Sequence, residues 1–558
     1  MINVQALSVF ISVFLVVTVV GFLASRWQAG DLNRLSEWGL AGRRFGTLIS
    51  WFLLGGDIYT AYTFVAVPGL IFSEGVIGFY AVPYVTLVYP LMFVFIPRFW
   101  AVARHRGYVT LADFVRERFG SSTLALLVAI TSLVATMPYL ALQMYGIEVS
   151  LAQMGVPLEI SLFIAFAILS AYTYISGLRA PALIAIAKDA CIWIVVLIAV
   201  IYIPLKLGGF GNVMAAVHQK ALQNPATFHD VLPPTAYSAY ASLALGSALA
   251  LFLYPHNLTG MFGTNSGEVL KRNAAMLPAY TFLLGLVSLL GLIAIAAGIH
   301  TSPIYGANSA IPALFIKEFP SWFAGFALGT LAIAALAPAA IMSIASANLF
   351  TRNIYREYFR PGCTEHEEAR MAKHISLLVK IGALACILFL PSKLVINFQL
   401  LSNIWIIQIL PAVFLGLYTN WFHRSALITG LIGGLAIGTG LVVAQSFESS
   451  VYAFHLGSII IPLYAAIPGL VVNLLICVAL TPVFSALGFA KGEDQTTSSD
   501  FAAHPVPGLL PRFRAQQALQ QQALQNMQQS VGQPQGFSPM PGQPQGIAPT
   551  YARDNRMV

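Results

Sequence analysis

Apolar runs of about twenty residues recur from one end of the chain almost to the other, and no other feature constrains its fold so tightly. A helix needs roughly 20 residues to cross a hydrocarbon layer about 30 Å thick. The runs predict about 13 such spans, near residues 3–25, 46–74, 79–100, 123–150, 159–177, 181–205, 238–262, 277–299, 321–350, 374–391, 394–419, 427–446 and 456–483. They are continuous rather than alternating, which predicts helices and not barrel strands, because in lipid every backbone N–H and C=O must be paired within a helix or a closed barrel. With 58% hydrophobic and 9% charged residues in 558, the chain falls outside the range of soluble domains, where about a quarter of residues are charged. The expected fold class is an all-α polytopic membrane protein of the cell inner membrane. The first span lacks a basic segment before it and has Arg26 and Arg34 after it, so it reads as a retained helix rather than a signal peptide.

The net charge of +8 then describes topology rather than a nucleic acid or acidic partner. Arg43, Arg44, Arg98, Arg104, Arg106, Arg116, Arg118, Arg352 and Arg356 crowd one set of alternate loops, while the other set holds Lys206, Lys220, Lys317 and Lys393. This asymmetry predicts an N-out, C-in orientation, as an odd number of spans requires. The longest extracytoplasmic insertion covers 206–237 and is turn-rich through LPPTAY. Residues 351–373 read as a charged, partly helical cytoplasmic segment. From about 486 the composition turns to Gln, Pro, Ser and Gly, which predicts a disordered cytoplasmic tail over 486–558 and a cytoplasmic partner as its functional prospect.

Chemistry-bearing motifs are missing. The four cysteines, Cys191, Cys363, Cys386 and Cys477, show neither a disulfide framework nor metal-ligand spacing. With no H-E-x-x-H, no G-x-S-x-G and no phosphate-cradling glycine loop, neither an enzyme nor a cofactor is expected. The glycines of GLIGGLAIGTG predict close helix packing, with Gly434 and Gly438 as contact points.

Two spans are interrupted. GGDIYTAYTFVAVPG, residues 55–69, sets Gly55, Gly56 and Asp57 inside an apolar run, and SALALFLYPHNLTGMFG, residues 247–263, does the same with Tyr254, Pro255, His256 and Asn257. An ionised Asp at the bilayer centre costs about 2.5–3.5 kcal/mol on the milder insertion scale, so Asp57 should face the protein interior. Pro255 cannot donate its helical hydrogen bond. Irregular backbone survives in a membrane only where protein encloses it, and the two breaks fall at similar depth in oppositely directed spans. They open consecutive sets of five spans, the pattern of an inverted repeat whose discontinuous helices frame a central site.

At this point the residues resemble a family. TLADFVRERFG (110–120), SGLRAPALIAIAKDA (176–190), LFLYPHNLTG (251–260) and APAAIMSIASANLFTRNIY (337–355) together are similar to the sodium:solute symporter family, and within it to the bacterial monocarboxylate permeases. The resemblance implies a LeuT-type fold and secondary active transport by alternating access. Residues 1–45 would form the leading helix and its cytoplasmic loop, 46–205 the first repeat, 206–237 the extracytoplasmic loop, 238–419 the second repeat and 420–485 two accessory helices.

It also implies a sodium site built from the backbone oxygens of Gly55 and Ile58 and from hydroxyls on the eighth core helix. Here Ala337 and Pro338 stand where those hydroxyls would be, and a hard cation wants about six oxygen ligands. Lys188 and Asp189 fall at mid-depth in the helix that passes this site. A tethered ammonium fills the space of a lost cation and can release and rebind a proton, which points to proton coupling through Lys188 with Asp189 or Asp57 as its partner. The competing reading is a static buried ion pair, and sodium and proton both stay open as the coupling ion.

On the substrate side, the outward half of the first broken helix begins near Tyr59 or Thr60, and its N–H groups and positive dipole end suit a small carboxylate. Candidate lining residues are Thr60, Tyr62 and Thr63, then Tyr139 and Gln143, which share a helix face, and Tyr254, His256 and Asn257. His256 competes with Lys188 as proton carrier, and Glu148 reads as interfacial. The expected function is import of a small organic anion of the lactate, pyruvate or acetate class. The alternatives are a sodium-coupled symporter of another organic solute, such as pantothenate, proline or another amino acid, and a transporter-like sensor.

Overall fold

Helices account for most of the described chain, as the bilayer's demand for internal pairing requires. The computed structural model describes residues 2–25, 30–157, 160–389 and 395–501, except 162, 165, 168, 171–173, 175 and 176. In chain order the helices used below are α1 (Val4–Ser25), α2 (Thr47–Gly56), α3 (Tyr62–Glu74), α4 (Ala81–Arg106), α5 (Leu111–Phe119), α6 (Ser122–Gln153), α7 (Arg179–Lys206) and α8 (Phe210–Gln223). They continue with α9 (Tyr237–Leu251), α10 (Pro255–Phe262), α11 (Pro278–Ala296), α12 (Ser321–Phe350), α13 (Glu365–Phe389), α14 (Val395–Ile406), α15 (Arg424–Val443) and α16 (Ala466–Ala486). Among the described residues, ten helices are long and apolar enough to cross a membrane. To these are added the pair α9–α10, bent by 47°, and the short apolar helices α2 and α3. About half of the span expected at 159–177 lies outside the described residues.

The α12 helix is the central pillar, with α1, α6, α7, α10 and α13 packed on it. Its run of Ala, Gly and Ser permits this, because small side chains let neighbouring backbones close in. A Cβ on Gly325 would lie 2.2 Å from the carbonyl oxygen of Ala6 in α1. The same physics packs α15 against α16, where a Cβ on Gly434 would lie 2.8 Å from Asn473 Cβ, and against α14 and the residues that follow it. A Cβ on Gly434 would lie 2.2 Å from Gln408 Oε1, and one on Gly438 2.7 Å from Ile404.

Three segments differ from expectation. The last span begins at Ala466, not at 456, because residues 451–464 form an antiparallel hairpin, β1 (Val451–Leu456) with β2 (Ile459–Tyr464). Gly457 turns it at φ 64°, a conformation that suits glycine, and the β-branched run Ile459–Ile461 favours the strand. The turn-rich insertion at 206–237 contains α8, which buries Val213 and Val217 one helical turn apart. Lys220 fixes it in place by donating to the Phe72 carbonyl at 2.5 Å.

The third difference concerns the tail expected to be disordered from 486. Residues up to Phe501 are described and pack back onto the end of the bundle that carries the arginine-rich loops. Asp494 pairs with Arg118 at 2.6 Å and Asp500 with Arg106 at 3.0 Å, Gln495 N donates to Glu117 O at 2.9 Å, and the Arg98 guanidinium lies 4.8 Å from the Phe501 ring centroid. Composition averaged over a long polar stretch hid these few acids and the one aromatic, whose partners are arginines of α4 and α5. Residues 502–558 lie outside the described residues. Truncation after Phe501 is expected to leave the melting temperature of the detergent-solubilised protein unchanged. Truncation after Leu487 should lower it by a few degrees, since partly exposed ion pairs contribute about 0.2–1 kcal/mol each; equal melting curves would show that the segment contributes nothing.

Candidate functional site

Both interruptions are real breaks, and each has a local cause. α2 ends at Gly56, residues 57–60 are irregular, and α3 opens with a π-helical turn over Tyr62–Ala66. Gly55 is dictated by space: a Cβ there would lie 2.2 Å from the ring of Tyr280 in α11. In the second break Tyr254 is extended, φ −61° and ψ 136°, as the residue before a proline tends to be.

The breaks meet at the protein centre. Asp57 Oδ2 lies 3.6 Å from His256 Nε2, and both side chains are buried. The His256 ring packs against Tyr139 and Tyr254, at centroid distances of 5.5 and 5.0 Å, and Tyr139 lies 5.3 Å from Tyr254. Among the described residues, Asp57 Oδ1 and both ring nitrogens of His256 are buried with no hydrogen-bond partner. Three polar atoms left unsatisfied in one place are costly in a dry interior.

Lys188 is fully buried on α7, and its ammonium lies on the first break. It donates to Gly56 O at 2.5 Å and to Tyr59 O at 3.3 Å, and pairs with Asp189 Oδ1 at 3.1 Å. Asp189 Oδ2 accepts from the Tyr280 hydroxyl at 2.6 Å, and the Tyr59 hydroxyl donates to Tyr280 O at 2.6 Å. The carbonyls turned toward the ammonium are those of Gly56 and Tyr59. The oxygens of Gly55 and Ile58, expected to face a cation, are engaged inside the break: Ile58 N donates to Gly55 O at 3.0 Å and Thr63 Oγ1 to Ile58 O at 2.6 Å. Ala337 and Pro338 are buried in α12 and bring no side-chain oxygen.

The remaining expected lining residues divide. Thr60 Oγ1 accepts from Tyr62 N at 3.1 Å, and the Gln143 side-chain oxygen accepts from Ala61 N at 2.9 Å. The start of α3 is therefore already capped, and the open N–H groups expected there for a carboxylate are occupied in this conformation. Thr63 and Asn257 bond backbone carbonyls at their own breaks, Thr63 that of Ile58 and Asn257, at 2.5 Å, that of Leu251 at the end of α9. Tyr254 donates to Asn403 Oδ1 at 2.8 Å, and Asn403 donates to Ser247 at 3.2 Å. The Tyr62 hydroxyl meets that of Tyr80. Beyond Tyr80 opens a cavity of about 620 Å³, lined among others by Glu74, His229, Asn397 and Glu448, at the end of the bundle away from the arginine-rich loops.

Glu148 is not interfacial. It is 3% exposed and its Oε1 accepts from the Tyr305 hydroxyl at 3.0 Å, because the 298–309 loop folds over the end of α6. Tyr280 has no role in the sequence reading and Tyr59 only that of a helix start, since a tyrosine in an apolar run carries no mark of its partner. Gln399 and Asn403 did carry one: two carboxamides four apart in an apolar span share a helix face.

The pattern that defines the sodium:solute symporter family matches residues 38–434. A monocarboxylate transport permease protein of Rhizobium johnstonii is 48% identical over 486 residues, covering 87% of this chain and 98% of that one. The symporter YodF of Bacillus subtilis, itself uncharacterised, is 33% identical over 86% of this chain and 94% of its own, and a sodium/proline symporter of Staphylococcus aureus is 25% identical over 83% and 90%. Among solved structures, a Na⁺-coupled sialic acid symporter in a substrate-bound outward-open state superposes with a TM-score of 0.68 at 15% identity, over 88% of this chain and 99% of that one. The fold is thus of the LeuT type, and the protein is a multi-pass membrane symporter of a small solute. The chain belongs to the sodium:solute symporter family.

Proposed function

We propose that the protein couples uptake of small monocarboxylates, of the lactate, pyruvate or acetate class, to protons, with the Lys188 ammonium, on the Gly56 and Tyr59 carbonyls of the first break, doing the work of a sodium ion. The observation that carries this reading is the placement of Lys188 Nζ on the Gly56 and Tyr59 carbonyls beside Asp189. A sodium ion on the same oxygens would lie within about 4 Å of the ammonium, where two like charges repel by roughly 4 kcal/mol even at an effective dielectric of 20. The two cations exclude one another. A lysine that gives up its proton on one side of the membrane and regains it on the other replaces ion binding and release. Asp57 and His256, facing each other across the two breaks, are in place to accept the proton or to pass it on. In the N-out orientation the 620 Å³ cavity is the outer vestibule, with Tyr62 and Tyr80 between it and the centre.

The monocarboxylate class is supported by the relative in Rhizobium johnstonii. A second reading, sodium-coupled uptake of another organic solute such as proline, is supported by the relative in Staphylococcus aureus. Reconstitution into proteoliposomes separates them. Under an inward proton gradient with sodium replaced by choline, labelled lactate should accumulate, and a sodium gradient at equal pH should drive none. Accumulation that follows sodium alone would overturn proton coupling, and displacement of the label by proline but not by pyruvate or acetate would overturn the substrate class.

A further inference from the structure

The start of α3 offers the substrate a different kind of site from an open helix end. The Ala61 N–H, which the break leaves without a helical partner, is held at 2.9 Å by the Gln143 carboxamide oxygen, and Gln143 is fully buried on α6. The other end of the same carboxamide is held only weakly: Nε2 donates to Tyr139 O, one turn back on its own helix, at 3.3 Å. Within this junction both ring nitrogens of His256 are, among the described residues, buried and unpartnered, and the His256 ring packs on Tyr139; Asp57 Oδ1, likewise unpartnered, accepts an anion beside it only when its carboxyl is protonated. Unsatisfied buried polar atoms beside a capped helix start are what a binding site looks like when its guest is replaced by a side chain.

We infer that Gln143 is a placeholder for the substrate carboxylate: its oxygen caps the Ala61 N–H when the site is empty, and on loading it rotates aside so that its Nε2–H donates to the incoming anion. This deepens the monocarboxylate reading and rests on it. A carboxamide suits the task because it carries both an acceptor and a donor. A leucine would leave the Ala61 N–H bare in a dry interior, at a cost in stability. A glutamate would cap it more strongly, since charge-assisted bonds are about twice as strong as neutral ones, and would repel the substrate's own charge. Gln143 thereby sets specificity for an anion and prevents the empty transporter from leaving its α3 start unsatisfied as it returns.

The test compares Gln143→Glu and Gln143→Ala with the wild type in proton-driven lactate uptake at pH 8, together with melting temperature in detergent. Gln143→Glu should melt at or above the wild-type temperature yet transport lactate at least about 100-fold more slowly, because its carboxylate occupies the substrate's place. Gln143→Ala loses the Nε2–H donor to the anion along with the cap on Ala61, and since a bond to a charged group outweighs the neutral one it replaces, it should raise KM by roughly fivefold and lower the melting temperature. If Gln143→Glu transports with wild-type KM, or if Gln143→Ala lowers the melting temperature and leaves KM unchanged, Gln143 is only a structural cap and the inference fails while the monocarboxylate reading stands. If the wild type itself takes up none of lactate, pyruvate and acetate under a proton gradient, the monocarboxylate reading fails first.

Discussion

Lys188→Met is expected to abolish proton-driven lactate accumulation, lowering initial uptake by two to three orders of magnitude. The substitution strips the charge from the Gly56 and Tyr59 carbonyls and leaves Asp189 paired only with the Tyr280 hydroxyl. Removing one partner of a buried ion pair costs about 3–5 kcal/mol, so the single variant should also melt earlier. A second variant separates coupling from folding. In Lys188→Met/Asp189→Asn both charges are gone, and replacing a buried pair by neutral groups of similar size is often neutral for stability. Its melting temperature should return toward wild type while uptake stays lost. Recovery of proton-driven uptake in the double variant would reduce Lys188 and Asp189 to a static pair that only holds α7 against the first break.

Gly55→Ala should cost at least about 3 kcal/mol and leave little folded transporter, the high end of what overpacking does to a core. The added Cβ would lie 2.2 Å from the Tyr280 ring, and that ring has nowhere to go. It sits 4.9 Å from Trp51 and 5.0 Å from Tyr59 between centroids, with its hydroxyl on Asp189. Gly56→Ala is the informative contrast, because its Cβ would meet the far end of a flexible side chain, Lys188 Nζ, at 3.0 Å. It should melt within a few degrees of wild type but weaken coupling by moving the ammonium off the Gly56 oxygen. Fluorescence-detected size exclusion with a heating step measures the first effect and proteoliposome uptake the second; equal stability of the two variants would refute the close packing of Tyr280 on Gly55.

The two breaks could be found without coordinates because each sets local chemistry against the bilayer. Gly55, Gly56 and Asp57, or Tyr254 and Pro255, do not suit a straight apolar helix, so their presence in one announces a protected irregularity. The hairpin at 451–464 escaped notice for the opposite reason: Ile459, Ile460 and Ile461 are as apolar as any span, and hydropathy does not distinguish a short strand from a helix start. The segment 488–501 escaped because its two anchoring acids sit in a polar stretch whose arginine partners lie more than 370 positions away.

Within the candidate site the same division holds. Asp57, Lys188, Asp189, His256 and Gln143 were legible as polar groups in apolar spans, which a membrane tolerates only inside the protein. Their partners were not legible. Gln143 meets Ala61 across 82 positions, Tyr280 meets Asp189 across 91, and Lys188 meets Gly56 across 132. The amino-acid sequence by itself determined that the chain crosses the bilayer repeatedly, where two of its helices break and which polar side chains must turn inward, because hydrocarbon penalises each of these locally. Only the tertiary structure decided that an ammonium lies on the broken carbonyls and a carboxamide caps the helix start, because hydrogen bonds act over about 3 Å and depend on how distant helices pack.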